Sequence, residues 1–277
     1  MPEVSLIIPW SNRPELETTL AKNKVAFSSV DSEVVIANCG GDGAMLESIL
    51  SANLLDGLRV IEIPYNRFNK SLALNMGVSR SRSSHIFLLD ADVILAADVL
   101  PMALECANER SFVTVQWVVD SNAVYKPNAL TESIQTMELV WDNGRRIPFE
   151  FYRKRLTDQA RGGPGLICLL KKHFIRVRGM NSALLGWGWE DLDLIVRLLC
   201  SLEIERIPLG EAIHLAHDNA RRNFVGKTRE QSLWTNMSAC HANYANGRFL
   251  GTMEQDLSVW NSKLTERVFT ATDKRAL

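Results

Sequence analysis

The feature that most constrains the fold of this chain is a series of short apolar segments, separated by stretches with helical periodicity. The first four segments lie at 4–8, 33–37, 59–63 and 85–89. Apolar runs of this length are typical of strands that are buried on both faces, as in a parallel sheet. Strands that alternate with helices predict an α/β protein, with a central, mostly parallel mixed sheet flanked by helices.

The remaining elements are predicted from the same patterns. Ser11 or Asn12 can cap a first helix, and apolar residues one turn apart predict further helices at 45–50 and 69–79. The later expectations, in chain order, are a strand at 112–119, a helix at 130–141 carrying Leu130, Ile134, Met137 and Trp141, a turn at 162–165, an apolar segment at 166–170, a helix after Asp191, a strand at 205–209 and a helical tail around Leu233 and Met237.

The composition narrows the class of protein. Of the 277 residues, 46% are hydrophobic and 23% are charged, which is usual for a globular protein. A net charge of -1 and a sequence pI near 6.5 indicate no dominant basic face, so no nucleic-acid partner is expected. The five cysteines lack metal-binding spacing, and neither a signal peptide nor a membrane-spanning segment is recognisable. A cytoplasmic location with reduced thiols is therefore expected.

Two aspartates directly follow the fourth apolar segment, as Asp90-Ala91-Asp92. Ligands of open α/β sheets bind at the carboxyl ends of the strands, where two acids one residue apart can hold a divalent cation and the phosphate that accompanies it. The alternative is a solvated turn whose acids cap the following helix. The motif alone is too short to decide between them.

The segment Gly186-Trp187-Gly188-Trp189-Glu190-Asp191 is more specific. Its two Gly-Trp pairs form a flexible, aromatic loop that brings Glu190 and Asp191 to the start of the next helix. The helix dipole and the N–H groups of the first turn favour ionised carboxylates, so a base at this place would be charged near neutral pH. The alternative is an acidic first turn beside core tryptophans, which explains the acids but not the paired glycines and tryptophans.

Two histidines, His214 and His217, follow the strand predicted at 205–209. If 213–217 is extended, the alternation of strand side chains places the two rings on opposite faces, and at most one ring reaches the acids. A lone histidine is more often structural. Beside two acids, however, a neutral imidazole is a suitable ligand for a Mn²⁺-like ion.

Other phosphate-binding features are few. Arg221, Arg222 and Lys227 form either a solvated loop or a segment that folds over a diphosphate and neutralises it. The chain has no GxGxxG fingerprint, no Walker A sequence and no GxSxG elbow. Dinucleotide-dependent, P-loop and serine-hydrolase mechanisms are therefore not expected.

Together and in this order, four motifs resemble those of the GT-A glycosyltransferases, in particular the β-1,4-galactosyltransferases and the chondroitin-polymerase-like members of family 2. The motifs are Leu6-Ile7-Ile8-Pro9-Trp10-Ser11-Asn12-Arg13, Phe68-Asn69-Lys70-Ser71-Leu72-Ala73-Leu74-Asn75-Met76-Gly77, Asp90-Ala91-Asp92 and Gly186-Trp187-Gly188-Trp189-Glu190-Asp191. A metal-binding histidine follows them in those families. The resemblance covers residues 4 to about 217 and implies the GT-A fold.

The resemblance also implies a role for each matching residue. Asp92 and His217 would hold the metal ion, and Asp90, near the ribose, would be a further ligand. The second histidine of the pair is preferred because related sequences use it. Asp191 would be the general base, and Glu190 would support the acceptor. The residues expected around the nucleotide sugar are Pro9, Trp10, Ser11, Arg13, Asn38, Phe68, Lys70, Asp90, Ala91 and Trp187.

The implied activity is a metal-dependent, inverting transfer of a hexose or N-acetylhexosamine from a UDP-sugar to an acceptor hydroxyl, with Mn²⁺ or Mg²⁺ as cofactor. The expected acceptor is a carbohydrate, a lipid-linked glycan or a small-molecule glycoside, and a peripheral membrane contact is among the expected interactions. The implied domains are a catalytic domain at 1–225, with a nucleotide-binding half at about 1–120 and an acceptor-binding half at about 121–225, and a C-terminal helical extension at 226–277.

Three departures from the family pattern concern the donor. Asn38 and Cys39 replace a pair of acids, Ser11 replaces an arginine, and Trp189 replaces a glycine. Two other interpretations remain. A sugar nucleotidyltransferase would open with a Gly-rich loop, which 9–13 does not resemble. A non-catalytic domain that binds a nucleotide sugar or glycan is disfavoured because the acids and the histidine are all retained.

Overall fold

A computed structural model describes residues 1–53, 55, 57–217 and 226–269. The strands in these residues are β1 (Val4–Trp10), β2 (Ser32–Cys39), β3 (Leu58–Ile63), β4 (His85–Leu88), β5 (Val93–Leu95), β6 (Ser111–Asp120), β7 (Glu132–Val140), β8 (Arg146–Arg155), β9 (Arg161–Leu170), β10 (Glu205–His214) and β11 (Thr265–Phe269). The helices are α1 (Glu15–Lys22), α2 (Lys24–Ser28), α3 (Gly43–Ala52), α4 (Lys70–Arg80), α5 (Val99–Cys106), α6 (Lys171–Arg176), α7 (Glu190–Arg197), α8 (Arg229–Ala245) and α9 (Met253–Trp260). A π-helical turn at Leu198–Leu202 continues α7, and a 3₁₀ turn at Asn261–Lys263 continues α9.

The strands form one mixed sheet, in the order β11-β3-β2-β1-β4-β9-β6-β10-β5, and the β7–β8 hairpin joins it through β9. β3, β2, β1 and β4 run parallel to one another, as do β6 and β10. β9 runs antiparallel between β4 and β6. All six parallel strands therefore point the same way, and their carboxyl ends lie along one edge of the sheet. The predicted α/β class is confirmed.

Helices cover both faces of the sheet, so alternate residues of β1 enter two different cores. Ile7 packs in one core with Met76 of α4. Leu6 and Ile8 pack in the other core with Leu16 of α1. All seven residues of β1 are buried. The continuous apolar run that predicted a strand covered on both faces is thus explained by its central position between two helical layers.

The helix predicted at 130–141 is wrong. This segment contains β7, which pairs antiparallel with β8 in a hairpin. The turn explains the difference, because Gly144 has a φ of 82° and its N–H donates to the carbonyl oxygen of Trp141 at 3.0 Å. The N–H of Trp141 in turn donates to the carbonyl oxygen of Arg145 at 2.9 Å. An Asn-Gly pair between two extended segments is a strong hairpin signal, and it outweighs a chance helical spacing of apolar residues.

The turn predicted at 162–165 is also wrong, because these residues lie inside β9. A Cβ atom on Gly163 would lie 2.8 Å from Cγ2 of Val118 and 3.1 Å from the carbonyl oxygen of Val115. The pairing of β9 with β6 shifts register on both sides of Val115. Glycine inside a strand can mark such a bulge or close approach rather than a turn.

The C-terminal segment packs onto the same sheet. It contains α8 and α9, but also β11, which pairs antiparallel with β3 and was not part of the helical extension predicted at 226–277. A strand this short adds to an available sheet edge, so its conformation depends on β3 more than on its own pattern. α9 is tied to α4 by Asn75, whose amide donates to Asp256 Oδ2 at 2.7 Å. Among the described helices, none combines the length and the apolarity needed to cross a membrane.

A buried ion pair fixes α7, the helix that begins with Glu190. Arg197 is 1% exposed, and its Nε donates to Asp193 Oδ2 at 2.9 Å. Its Nη1 donates to the carbonyl oxygens of Val177 at 2.9 Å and Gly179 at 2.6 Å. Tyr244 of α8 donates its hydroxyl to the other oxygen of Asp193 at 2.9 Å. α7 and α8 therefore share one polar network in the core, in which Arg197 and Tyr244 both donate to Asp193.

We expect Arg197→Met to lower the free energy of unfolding by about 3–5 kcal/mol, because it leaves the charge of Asp193 buried without its cation. The matched control is Arg146→Met, which removes an exposed pair with Glu138 and should cost about 1 kcal/mol or less. Urea unfolding of both variants measures the difference. Equal losses would show that burial does not determine the strength of this pair.

Candidate active site

The Asp90-Ala91-Asp92 loop follows β4 and is fixed by hydrogen bonds to β1 and α1 and by the buried side chain of Ala91. The N–H of Leu89 donates to the carbonyl oxygen of Ile7 in β1 at 3.0 Å. The hydroxyl of Thr19 in α1 donates to the carbonyl oxygen of Ala91 at 2.9 Å. Ala91 is itself buried, so its side chain anchors the loop. The two aspartates on either side of it are thereby held at the carboxyl edge of the sheet.

Asp92 and the two histidines lie together. Nε2 of His217 lies 3.1 Å from Asp92 Oδ2, and Nε2 of His214 lies 3.8 Å from the same oxygen. One ligand atom from each of the three side chains can be chosen so that all lie within 4.8 Å of one another. The expectation that at most one histidine reaches the acids is therefore wrong, because His214 lies beside Asp92 together with the preferred His217. Asp90 lies outside this cluster.

The path of the backbone explains why both rings meet Asp92. β10 ends at His214, so residues 215–217 do not continue the strand. The N–H of Leu215 donates to the carbonyl oxygen of Asp92 at 2.8 Å, one step beyond the antiparallel pair of His214 with Val93, and this bond holds the segment after β10 beside Asp92. Strand alternation applies only while the strand lasts, so it does not separate His217 from His214. The missed signal was the end of the strand.

The electrostatics of this cluster favour a cation. Burial alone would raise the pKa of Asp92, but a hydrogen bond to His217 and the charge of Arg13 are among the effects that outweigh it and lower the pKa below its usual range. Burial lowers the pKa of His214, although Asp92 opposes this effect. A carboxylate that stays ionised beside an imidazole that stays neutral is the protonation state that a metal ion requires.

Lys70 joins Asp90 to Asp191. Its Nζ lies 2.9 Å from Asp90 Oδ1 and 3.1 Å from each oxygen of Asp191. Burial would lower the pKa of Lys70, but the charges of Asp191, Asp90 and Glu190 outweigh it and raise the pKa well above its usual value. Burial raises the pKa of Asp90, with Lys70 opposing and with Asp191 and Asp92 adding to the rise. The predicted base and the predicted metal-binding loop thus form one continuous band of charges.

Glu190 lies at the buried end of this band. It is 9% exposed, and among the described residues its Oε2 has no hydrogen-bond partner. The side chain lines a small cavity together with Phe68, Lys70 and Leu184. Burial, reinforced by the charge of Asp191, raises the pKa of Glu190 to about 7. Glu190 is therefore partly protonated at neutral pH and can donate as well as accept a hydrogen bond.

The Gly-Trp loop is held by α8. The N–H of Trp187 donates to the hydroxyl of Ser232 at 2.8 Å, and the amide of Asn236 donates to the carbonyl oxygen of Gly188 at 2.8 Å. The guanidinium of Arg229 stacks 4.2 Å from the ring centre of Trp187. Gly188 has a φ of 98° and touches α8, so this position excludes a side chain on both counts. Sequence reasoning did not connect α8 to this loop.

Gly165 of β9 makes room for the pair formed by Asp191 and Lys70. A Cβ atom at this position would lie 2.5 Å from Asp191 Oδ2 and 3.0 Å from Lys70 Nζ. Gly162, three residues earlier on the same strand, has more space, because its Cβ would meet Arg153 Cβ at 3.6 Å. The run of glycines predicted to be a turn therefore contains one position that the charged band requires to be glycine.

The residues predicted around the nucleotide have different environments. Pro9 and Trp10 are buried, and the indole N–H of Trp10 donates to the carbonyl oxygen of Arg13 at 2.8 Å, so Trp10 holds the segment that follows β1. Ser11 and Arg13 are partly exposed. Within the described residues, Nη1 of Arg13 is buried without a hydrogen-bond partner, although its charge reaches Asp92. An anionic ligand beside Asp92 would satisfy it.

The side chain of Asn38 makes hydrogen bonds to the turn that follows β2 and to β3. Its amide donates to Glu62 Oε2 at 2.7 Å and to the carbonyl oxygen of Gly41 at 3.3 Å, and its Oδ1 accepts the N–H of Gly41 at 2.9 Å. An open groove of about 470 Å³ lies beside this turn, and Tyr65 and Lys263 also line it. Uracil recognition by Asn38 stays a prediction.

The basic segment is only partly described. Arg221 and Arg222 lie outside the described residues. Lys227 is described, and its Nζ donates to the hydroxyl of Thr235 in α8 at 3.1 Å. The closing role expected of this segment stays a prediction.

The raised pKa of Glu190 leads to a prediction about stability. Its usual value is 4.5 and its folded value about 7, so the folded chain binds this proton more tightly than the unfolded chain. The resulting stabilisation is complete below pH 4.5 and is lost as the pH rises through 7. Glu190→Gln, which stays neutral, should gain up to about 3 kcal/mol relative to the parent between about pH 5 and pH 8.

Urea unfolding at the two pH values measures this gain. Glu230→Gln, at an exposed position in the first turn of α8, is the matched control and should show no pH-dependent difference. A difference between Glu190→Gln and the parent that is the same at both pH values would contradict the assignment.

Two protein families match the chain. The family described as "Glycosyl transferase family 2" matches residues 5–176, and the one described as "N-terminal domain of galactosyltransferase" matches residues 147–218. No curated protein sequence matches the chain.

Solved structures also resemble the chain, and two of them, both at low identity, serve as examples. Residues 1–349 of TarS from S. aureus are 14% identical, with a TM-score of 0.49 over 77% of this chain. This chain spans 60% of that structure's length. The catalytic domain of Drosophila β1,4-galactosyltransferase 7, in complex with xylobiose, is 14% identical, with a TM-score of 0.42 over 82% of this chain and 77% of that chain.

The family matches agree with the positions of the motifs. The family 2 match covers more than half of the 277 residues and includes the first two motifs and the Asp90-Ala91-Asp92 loop. The galactosyltransferase match includes the Gly-Trp loop, His214 and His217. The chain belongs to glycosyl transferase family 2.

Proposed function

We propose that this protein transfers a hexose or an N-acetylhexosamine from a UDP-sugar to an acceptor hydroxyl, with inversion at the anomeric carbon and with a divalent metal ion as cofactor. The observation that carries the proposal is the continuous band at the carboxyl edge of the sheet. In this band a carboxylate–imidazole cluster around Asp92 is connected, through Asp90 and Lys70, to the carboxylate of Asp191.

The donor atoms of the cluster fit a divalent metal ion. Asp92 provides an oxygen, and His214 and His217 each provide a nitrogen. Imidazole and carboxylate together suit Mn²⁺ better than Mg²⁺, which prefers oxygen ligands and keeps its water. When bound, such an ion would supply positive charge to the oxygens of the diphosphate. Arg13, whose buried Nη1 has no partner among the described residues, would add a hydrogen bond from the protein.

The position of Asp191 supports its proposed role as the base. Asp191 is the second residue of α7, and its carboxylate lies beside Lys70 and Gly165. It would accept the proton of the acceptor hydroxyl while the acceptor oxygen bonds to the anomeric carbon. The bond from that carbon to the diphosphate oxygen breaks in the same displacement, which inverts the centre. Lys70 would hold the carboxylate of Asp191 in position until the acceptor arrives, because the two groups form an ion pair.

The sugar would lie between the base and the aromatic loop. Trp187 is partly exposed, and Arg229 fixes one side of its ring. Glu190 lines the small cavity beside Phe68 and Lys70, where its carboxyl group can hydrogen-bond a sugar hydroxyl in either protonation state. The acceptor would be a carbohydrate, a lipid-linked glycan or a small-molecule glycoside that presents one hydroxyl to Asp191.

A thermal-shift screen of UDP-sugars, with Mn²⁺ and with EDTA, tests the proposal and identifies the donor. The correct donor should raise the melting temperature by mass action, and only in the presence of the metal. Product formation with that donor then provides the parent rate. In the same assay, Asp191→Asn should lower the rate about 10²- to 10⁴-fold, which is the usual contribution of a general base.

The donor and Mn²⁺ should stabilise Asp191→Asn as much as the parent, because this residue is not among the proposed metal ligands. Asp31→Asn, at an exposed position before β2, is the matched control and should keep the parent rate. Full turnover by Asp191→Asn would refute its role as base. Stabilisation that is equal with Mn²⁺ and with EDTA would refute the metal dependence.

Substitution of Gly165 should affect the same step without removing any charge. The added methyl group of Gly165→Ala would displace Asp191 and Lys70, so we expect at least about a tenfold loss of turnover, which corresponds to about 1.4 kcal/mol. The matched variant Gly162→Ala meets only ordinary contacts and should stay within about twofold of the parent. Steady-state rates with saturating donor measure both, and equal rates for the two variants would contradict the packing argument.

A further inference from the structure

We propose that Asp120 is a positioning residue for the metal centre. It would hold the ring of His214 so that Nε2 faces Asp92, and Arg161 would hold Asp120 in turn. The inference rests on the proposed function in one respect, since it takes Asp92, His214 and His217 to bind a divalent cation. Neither Asp120 nor Arg161 belongs to any of the motifs that the sequence presents.

The backbone brings Asp120 and His214 side by side. Asp120 is the last residue of β6, His214 is the last residue of β10, and the two are register partners in this parallel pair. The N–H of Ser121 donates to the carbonyl oxygen of His214 at 2.8 Å, which closes the pair of strands at this point. The hydroxyl of Ser121 then accepts the N–H of Ala216 at 3.0 Å. The segment that carries both histidines is thus fastened to the end of β6.

The side chains of His214 and Asp120 are in contact because of this pairing. Nδ1 of His214 lies 2.8 Å from Asp120 Oδ1, whereas its Nε2 is directed at Asp92 Oδ2, 3.8 Å away. An ionised carboxylate can only accept, so Nδ1 is the nitrogen that carries the hydrogen. In the neutral ring Nε2 then keeps its lone pair, which is the form that binds a metal. A carboxylate behind a histidine ligand fixes both the tautomer and the direction of the ring in this way.

Arg161, the first residue of β9, completes the arrangement. Its Nη1 donates to the same oxygen, Asp120 Oδ1, at 2.8 Å. Seen alone, this is a partly exposed ion pair, with 40% of the Arg161 side chain and 46% of the Asp120 side chain accessible. A pair of that kind contributes little to stability. This pair, however, lies behind His214. The hydrogen bond from Arg161 therefore limits the orientations that the Asp120 carboxylate can take beside the ring.

The chain offers a matched control for this inference. Asp158 lies between β8 and β9 and also pairs with an arginine, because its Oδ2 accepts from Nη2 of Arg155 at 2.7 Å. It also belongs to a partly exposed carboxylate–guanidinium pair, but the structure shows it with Arg155 and the backbone rather than with a histidine. Asp158→Asn therefore removes the same charge from the same kind of pair and should leave metal binding unchanged.

The test is a titration of each purified full-length variant with Mn²⁺ alone, in which free Mn²⁺ is followed by electron paramagnetic resonance. We expect Asp120→Asn to raise the Kd for Mn²⁺ about 10- to 100-fold, the usual effect of losing such a carboxylate. Asp120→Glu should recover part of the affinity because it restores the acceptor. Arg161→Gln should raise the Kd less than Asp120→Asn does. The visible spectrum of bound Co²⁺ should change in Asp120→Asn and not in Asp158→Asn.

Melting temperatures in EDTA show whether each variant is folded, and Asp120→Glu serves if Asp120→Asn is not. The same Kd for Asp120→Asn, Asp158→Asn and the parent would overturn this inference and leave the metal centre standing. Loss of Mn²⁺ binding in Asp120→Asn, combined with no sugar transfer by the parent, would overturn the proposed reaction alone. A parent that binds no Mn²⁺ would overturn both.

Discussion

The ion pairs of Lys70 are the interaction on which the proposed catalytic edge depends. Asp90, Asp191 and Glu190 all act on this one lysine, and carboxylates placed so close together would otherwise repel one another. Lys70 is the first residue of α4, and the cap residue Asn69 fixes that end of the helix by accepting the N–H of Leu72 at 3.0 Å. The amide of Asn69 also donates to the carbonyl oxygen of Ser182 at 2.9 Å. The cation is thus held by a helix end rather than by a flexible loop.

One strand, β9, contacts both Asp120, behind the proposed metal cluster, and the pair formed by Asp191 and Lys70. β9 runs antiparallel between β4 and β6, and so interrupts two groups of parallel strands. Its first residue, Arg161, supports Asp120 at the end of β6. Four residues later, Gly165 leaves the space that Asp191 and Lys70 occupy. A shift of β9 along its neighbours would therefore disturb the base and the metal cluster together, which couples the two through backbone geometry.

Much of the fold and part of the site could be predicted from the sequence because their causes are local. Buried parallel strands are continuous apolar runs, and acids at strand or helix ends are visible as short motifs. The path of the chain after β10 is not local, because it is set by the hydrogen bond from Leu215 to the backbone of Asp92. For that reason the meeting of His214 with His217 could not be derived from alternation. The sequence likewise gives no sign of the proposed role of Asp120, because that role depends on its register partner, His214.

The C-terminal segment shows how far the site extends beyond the recognisable motifs. The two family matches end at residues 176 and 218, whereas α8 begins at Arg229. Yet α8 provides the hydroxyl of Ser232, the amide of Asn236 and the guanidinium of Arg229 to the Gly-Trp loop. It also reaches Asp193 in α7 through Tyr244. Because α7 begins with Glu190 and Asp191, a segment outside the family signature holds the start of the helix that carries the proposed base. A change in α8 would therefore disturb the Gly-Trp loop, beside which the proposal places the sugar.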